Sequence, residues 1–292
     1  MKKNYDDIIA KANTLTEALP YINAYTGKYI VIKYGGNAMH NPDIIKTILQ
    51  DVAALKIVGV HPILVHGGGP EINAMLSKLG ITSQIVGGLR VTDAETMEVV
   101  QMVLGGKVNK NIVAQLGTMG VRAIGLCGKD GSLIEVKKMS KKGGVDYGYV
   151  GEITKVNAEL LKELCRDGYV PVIASIGVDG KGESYNINAD TAAGEIGAAV
   201  GAEKLVYLTD IDGILADGSN KDSLLAEVKF SDVEKMIKSG AISGGMIPKV
   251  ESCTNAIKKG IRNVNIINGM IPHSILVELF TVEGIGTLIT AD

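Results

Sequence analysis

The feature that most constrains this chain is a recurring order: a short β-branched run, a turn, then a longer segment with helical spacing. Apolar runs fall at 29–34, 62–66, 121–126, 170–176, 204–209 and 261–267. Helical patterns lie between them, at about 43–58, 70–79, 93–118, 156–167, 189–200, 231–239 and 247–259. That alternation predicts an α/β fold, a mostly parallel sheet covered on both faces. Residues 132–155 depart from it: SLIEVKK, the Lys/Gly-rich MSKKGGVDYG and YVGEITKV read as an inserted β-hairpin. VDGKGESYNIN, 178–188, is a second hairpin-like piece. With no short-period repeat and no low-complexity linker, the chain reads as two lobes sharing one sheet, changing over near residue 178.

Composition narrows the partners. The 292 residues are 46% hydrophobic and 21% charged, enough for a sizeable core. A net charge of −2 without a basic block argues against nucleic acid or an anionic membrane as partner. No apolar run approaches the ~20 residues of a membrane span. The N-terminal apolar residues are broken up by acids, unlike a signal peptide. Cys127, Cys165 and Cys253 are widely spaced, which suits a reducing cytoplasm better than a disulfide framework or a zinc site. With no Trp, two Phe and 37 Gly, the chain offers few stacking platforms but many places where backbone meets a ligand closely.

One residue of the first run is out of place. In KYIVIKYGG, 28–36, Tyr29 to Ile32 suit a buried strand, and Lys33 then brings a charge two residues before Gly35-Gly36. Ligands of open α/β sheets sit beyond the carboxyl ends of the strands, so Lys33 is expected to project there toward an anion. The plain alternative is a lysine snorkelling from a strand end. PILVHGGGPEI, 62–72, strengthens the first reading: Gly67, Gly68 and Gly69 leave backbone N–H groups uncovered where Pro70 opens a helix. This is neither a Walker loop nor a dinucleotide fingerprint. His66 reads as a packed, hydrogen-bonded strand-end histidine.

Further stretches add polar groups at strand ends. GGLRVTD, 87–93, holds Arg90, whose guanidinium suits either a ligand carboxylate or a surface ion pair. In SYNINADTAAGEIG, 184–197, Asn186 and Asn188 alternate onto one face, and Asp190 opens a helix, as a capping residue or as more. KLVYLTDIDGIL, 204–215, ends a strand in acids and glycine, and AISGGMIPKVESC, 241–253, puts Lys249 in a helix's first turn. The macrodipole disfavours a lysine there unless a phosphate shares the site. Two lysines beside glycine turns, without a Ser/His/Asp set or a metal-ligand cluster, point to phosphoryl transfer. The residues alone lead to an ATP-dependent kinase or an anion-binding α/β protein.

VIKYGGNAM, VHGGGPEI, GGLRVTD, GLCGKDG, NINADTAA, LTDIDGIL and GGMIPKV together, over about 30–292, resemble the amino acid kinase family, and within it the branch acting on N-acetyl-L-glutamate. The resemblance implies a three-layer α/β/α sandwich with one mostly parallel central sheet. It implies an acyl-amino-acid lobe at 29–177, an ATP lobe at 178–292, and a reaction giving N-acetyl-L-glutamyl 5-phosphate in arginine biosynthesis. By motif, Lys33 and Lys249 look like transition-state lysines, and Asp190 resembles the carboxylate that orients both. Gly35, Gly36, Gly68 and Gly69 would donate to the moving phosphoryl group and the substrate, with Gly35 and Gly36 on the nucleotide side. Arg90, Asn186 and Asn188 would bind the acyl amino acid. Asp210, Gly213, Ile214, Leu215, Ala241, Ile242 and Ser243 resemble the adenine and ribose site. Mg2+ would be held by the ATP phosphates, with no metal site on the chain. Carbamate, aspartate or uridylate kinases, or a non-catalytic amino-acid sensor, are the alternatives on this fold.

Residues 1–28 precede the first strand. Ile8, Ile9, Ala12, Leu15, Ala18, Leu19 and Ile22 recur at helical spacing, with Pro20 predicting a kink. Such a stripe packs on its own subunit or on a partner. The segment resembles the N-terminal helix that interlaces arginine-inhibited members into a hexamer, a trimer of dimers. PHSILVELFTVEGIGTLI resembles their effector segment. The resemblance implies an L-arginine site formed by Tyr21, Lys204, His273, Glu283 and Gly286.

Overall fold

The computed structural model describes residues 5–36, 41–141, 144–217, 220, 222–244 and 246–292. Asn37 to Met39 of the first motif, Lys142 and Gly143 of the hairpin, and Gly245 of the last motif lie outside the described residues.

The six apolar runs form strands β1 (Tyr29–Tyr34), β2 (His61–His66), β5 (Ala123–Leu126), β8 (Val170–Ala174), β11 (Lys204–Thr209) and β13 (Asn263–Asn268). Two strands the pattern does not reveal, β12 (Glu227–Lys229) and β14 (Thr287–Thr290), join them. Among the described residues the central sheet has the order β12-β14-β13-β11-β1-β2-β8-β5. All its pairings are parallel except β13 with β14. β12 buries only Val228, so its composition carries no strand signal.

Both hairpins form. β6 (Ile134–Lys138) pairs antiparallel with β7 (Gly151–Val156), and β9 (Ile176–Val178) with β10 (Ser184–Asn186), joining in a second sheet. A two-residue ribbon of β3 (Ile85–Val86) and β4 (Leu89–Arg90) carries Arg90.

Helices cover both faces of the central sheet, as a three-layer α/β/α sandwich requires. They are α2 (Pro42–Ile57), α3 (Gly69–Leu79), α4 (Ala94–Gln101), α5 (Asn109–Thr118), α6 (Ala158–Arg166), α7 (Ala189–Val200), α8 (Phe230–Ser239), α9 (Met246–Lys258) and α10 (Ser274–Phe280), after the N-terminal α1 (Tyr5–Tyr25). The single helix expected over 93–118 is interrupted: a π-helical turn, Met102–Val108, joins α4 to α5. Gly105 and Gly106 lie inside it, where the absence of Cβ atoms eases a wider turn. Alternation along β1 divides the core. Ile30, Ile32 and Tyr34 face one apolar layer with α2 and α4, and Val31 faces the other with α6, α7 and α9.

β1 bonds to β2 on one side and β11 on the other. The chain leaves β1 for β2 and returns to β1's opposite edge only at β11, so a topological switch point lies beyond the carboxyl end of β1. The site is there. Among the described residues, no helix is long and apolar enough to cross a membrane, and no group of three or more His, Cys, Asp or Glu could hold a metal ion.

Candidate active site

Strand alternation puts Lys33 on the same face as Val31, the face α7 covers. The Asp190 carboxylate in the first turn of α7 meets it there, with Nζ and Oδ1 3.0 Å apart. Both side chains are largely withdrawn from water, 15% and 23% exposed, so each charge depends on the other. Asp190 is not the helix cap. Asn188 is: its Oδ1 accepts from the Asp190 and Thr191 N–H groups at 2.8 and 3.0 Å, which frees the Asp190 carboxylate for Lys33.

The second lysine has a carboxylate of its own: Lys249, in the first turn of α9, lies 3.1 Å from Asp210 Oδ1, while Asp190 pairs with Lys33. Tyr207 sits opposite Lys33 in the sheet, and Asp210 lies just beyond the end of β11. The result is two lysine–carboxylate pairs at the carboxyl ends of adjacent strands.

Beside Lys33 is a cleft of about 290 Å3 lined by Gly35, Gly36, Gly67, Gly68, Gly69, Arg90, Ser175, Asn186 and Asn188, among others. Gly35 and Gly36, expected on the nucleotide side, line the same cleft as Arg90, Asn186 and Asn188, because the turn after β1 faces the glycine turn after β2, where the Gly67 N–H donates to the Tyr34 carbonyl. An added Cβ at Gly68 would come 2.6 Å from Leu104 of the π-helical turn, so this helix packs directly under the glycine loop. His66 braces the loop from below. It is fully buried, with Nδ1 2.8 Å from the Gly67 carbonyl and Nε2 3.0 Å from the Asn109 amide nitrogen. Burial pushes its pKa down to about 4, so the imidazole is neutral at neutral pH and serves as a packed donor and acceptor.

Arg90 is 9% exposed, and its guanidinium donates to Asn73 Oδ1 at 2.6 Å, Ser83 Oγ at 3.2 Å and the Gly69 carbonyl at 3.4 Å. Among the described residues no carboxylate forms a salt bridge with it. Burial lowers its pKa, yet a guanidinium stays charged. A buried cation held only by neutral acceptors suits a ligand carboxylate. Asn186 donates to Thr92 Oγ1 at 3.3 Å.

A second cleft, about 650 Å3, opens beyond β11. Asp210 to Leu215 line it with Ala241, Ile242, Ser243, Met246 and Lys249, so every residue expected at an adenine and ribose site is brought together there.

The proposed effector residues gather less completely. Lys204 starts β11, with Nζ 3.4 Å from Asn265 Oδ1 and 5.7 Å from the centre of the Tyr25 ring, one turn beyond Tyr21. Burial pushes the Lys204 pKa down, opposed by Glu278 and Glu203. Glu278 on α10 accepts from the Ile285 and Gly286 N–H groups at 2.8 and 3.0 Å and from Asn265 at 2.5 Å. Lys204 and Gly286 therefore converge on Glu278. His273 turns instead to the buried Asp51 of α2, Nδ1 to Oδ1 2.6 Å, and Glu283 is exposed in the loop after α10.

Residues 28–268 match the model of the amino acid kinase family. The chain belongs to the amino acid kinase family. It is 53% identical to the acetylglutamate kinase of Heliobacterium modesticaldum, over 96% of this chain and 98% of that protein. With the acetylglutamate kinase of Desulforamulus reducens it shares 52%, over 97% and 99%. Among solved structures it superposes with a TM-score of 0.85 and 25% identity on the N-acetylglutamate synthase of Neisseria gonorrhoeae complexed with coenzyme A and N-acetyl-glutamate. That match covers 96% of this chain and spans 63% of the synthase's length. Three residues of this family member escaped the sequence reading. Asn73, one helical turn beyond Gly69, fixes Arg90. Asp51 receives His273. Glu278 is a lone charge inside the apolar run SILVELF, the kind of signal that singled out Lys33.

Proposed function

We propose that this chain transfers the γ-phosphoryl group of ATP to the γ-carboxylate of N-acetyl-L-glutamate, a step of arginine biosynthesis in the cytoplasm. The observation that carries the reading is a pair of clefts beyond the carboxyl ends of the neighbouring strands β1 and β11. One holds Lys33 and a buried Arg90 that has no salt-bridge partner among the described residues, and the other holds Lys249. The curated relatives named above are acetylglutamate kinases over nearly their whole lengths. Residues 29–177 then form the acyl-amino-acid lobe and 178–292 the ATP lobe.

In this reading Arg90 clamps the α-carboxylate by two parallel hydrogen bonds, and Asn186 and Asn188 flank it. The γ-carboxylate is already ionised at neutral pH, so no general base is needed. Lys33 and Lys249 neutralise the charge that spreads over the moving phosphoryl group, and the Gly68 and Gly69 N–H groups add fixed donors. Asp190 pairs with Lys33 and aims it. The carboxylates beside the lysines, Asp190 and Asp210, each engage an ammonium. Mg2+ is therefore assigned to the ATP phosphate oxygens, where it offsets their charge.

We further propose feedback inhibition by L-arginine and a hexamer built as a trimer of dimers, with residues 1–28 as the oligomerisation element. α1 runs through Pro20 but leaves Ile8, Ile9, Leu15 and Leu19 at least 54% exposed, so its own subunit does not cover the stripe. Its end reaches α10, where Tyr25 and Phe280 rings stand 6.4 Å apart. Such an effector works only by binding two arrangements of the subunits unequally.

A coupled ADP-release assay over N-acetyl-L-glutamate, glutamate, aspartate, carbamate and UMP, with and without L-arginine, tests this function. Selective turnover of N-acetyl-L-glutamate, suppressed by arginine, is the expected result. Preference for another acceptor would refute the substrate assignment, and insensitivity to arginine the regulatory one.

A further inference from the structure

The cleft beyond β11 is shaped by a hydroxyl from a distant strand. After β11 the chain folds back on itself: the Leu225 N–H donates to the Ile214 carbonyl at 2.9 Å, and Leu215 bridges antiparallel to Leu224. In a regular antiparallel pair, Ile214 would return the bond directly to the Leu225 carbonyl. Thr287 of β14 stands between them instead. Its Oγ1 accepts from the Ile214 N–H at 2.8 Å and donates to the Leu225 carbonyl at 2.6 Å. The approach depends on Gly213, where an added Cβ would sit 2.5 Å from that hydroxyl oxygen. Thr287 is fully buried and Ile214 is 1% exposed, so bulk water does not serve these groups. β14 itself is held by its ladders to β13 and β12, which do not involve the hydroxyl.

We propose, on the reading of this cleft as the nucleotide site, that Thr287 is a positioning residue for ATP: its hydroxyl wedges open the Ile214–Leu225 pair and fixes Gly213 and Ile214 along the cleft. Without the hydroxyl, one buried donor and one buried acceptor lose their partners. The loop then closes on the direct Ile214–Leu225 bond and carries Gly213 and Ile214 out of place. The acyl cleft is lined by other elements and is unaffected.

Thr287→Val keeps the side chain's shape and removes the hydroxyl, whereas Thr287→Ser keeps the hydroxyl. The valine variant is expected to raise KM for ATP about tenfold, as Gly213 and Ile214 leave their places along the cleft, with KM for N-acetyl-L-glutamate within about twofold of the parent. The serine variant should stay within about twofold for both substrates. If the valine variant does not fold, Thr287→Ala is read the same way. An unchanged KM for ATP, an equal rise in both constants, or a serine variant as impaired as the valine one would overturn the role. Photolabelling of the parent enzyme with azido-ATP separates the two readings. Label on peptides 210–225 or 241–249 upholds the nucleotide cleft, and label elsewhere overturns that cleft rather than the wedge.

Discussion

His66 carries a pH dependence whose size follows from its surroundings. The ring is fully buried beneath the glycine loop, and burial lowers its pKa from the ordinary 6.5 to about 4, with Lys110 adding to the effect and the Gly67 carbonyl opposing it. Protonating Nε2 would also aim a second N–H at the Asn109 amide nitrogen. That amide cannot simply flip, because its nitrogen donates to the Val172 carbonyl at 2.9 Å and its oxygen accepts from Lys110 at 3.1 Å. Between about pH 4 and 6.5 the unfolded chain binds the proton and the folded one does not, so stability falls as pH drops through that window. At about 1.4 kcal/mol per pKa unit, the group costs about 2 kcal/mol between pH 7 and 5, and about 3 kcal/mol once pH is below 4. Chemical denaturation at pH 7 and pH 5, run on the parent and on His66→Gln, isolates this contribution from the other histidines. The parent should lose about 2 kcal/mol more than the variant over that interval. Equal losses in the two proteins would refute the assignment of a neutral, doubly bonded His66.

Lys33→Ala and Lys249→Ala are each expected to lower kcat by roughly 10²–10³, with smaller effects on substrate binding, since both charges serve a group whose charge develops in the transition state. Steady-state kinetics check this, and a variant with near-parental kcat removes that lysine from catalysis. Arg90→Lys should raise KM for the acyl amino acid about tenfold or more, because a single ammonium cannot serve Asn73, Ser83, the Gly69 carbonyl and a substrate carboxylate together. An unchanged KM places Arg90 outside the substrate site. Deleting residues 1–24 should leave an active dimer with weakened arginine inhibition, read by light scattering and inhibition curves. A truncated enzyme that stays hexameric and fully sensitive defeats the role given to α1.

The amino-acid sequence by itself determined the parallel framework, the glycine turns and the ends at which function gathers. These are local properties: continuous β-branched runs with helices between them allow little else, and Gly35-Gly36 and Gly67 to Gly69 declare their turns through missing side chains. A lone lysine in an apolar strand likewise marks Lys33 before any partner is known. Tertiary structure alone decided the partners. Asp190 for Lys33, Asp210 for Lys249, Asn73 for Arg90 and Thr287 for Ile214 are choices among groups far apart in the chain, governed by distances that no local pattern encodes. The same holds for β12 and β14. Strands of three and four residues are stabilised by the ladders of their neighbours, so their own composition need not look like strand. The uncovered stripe of α1 belongs to this second class too: helical spacing shows that a face must be buried, and only the packed chain shows that its own subunit leaves it bare.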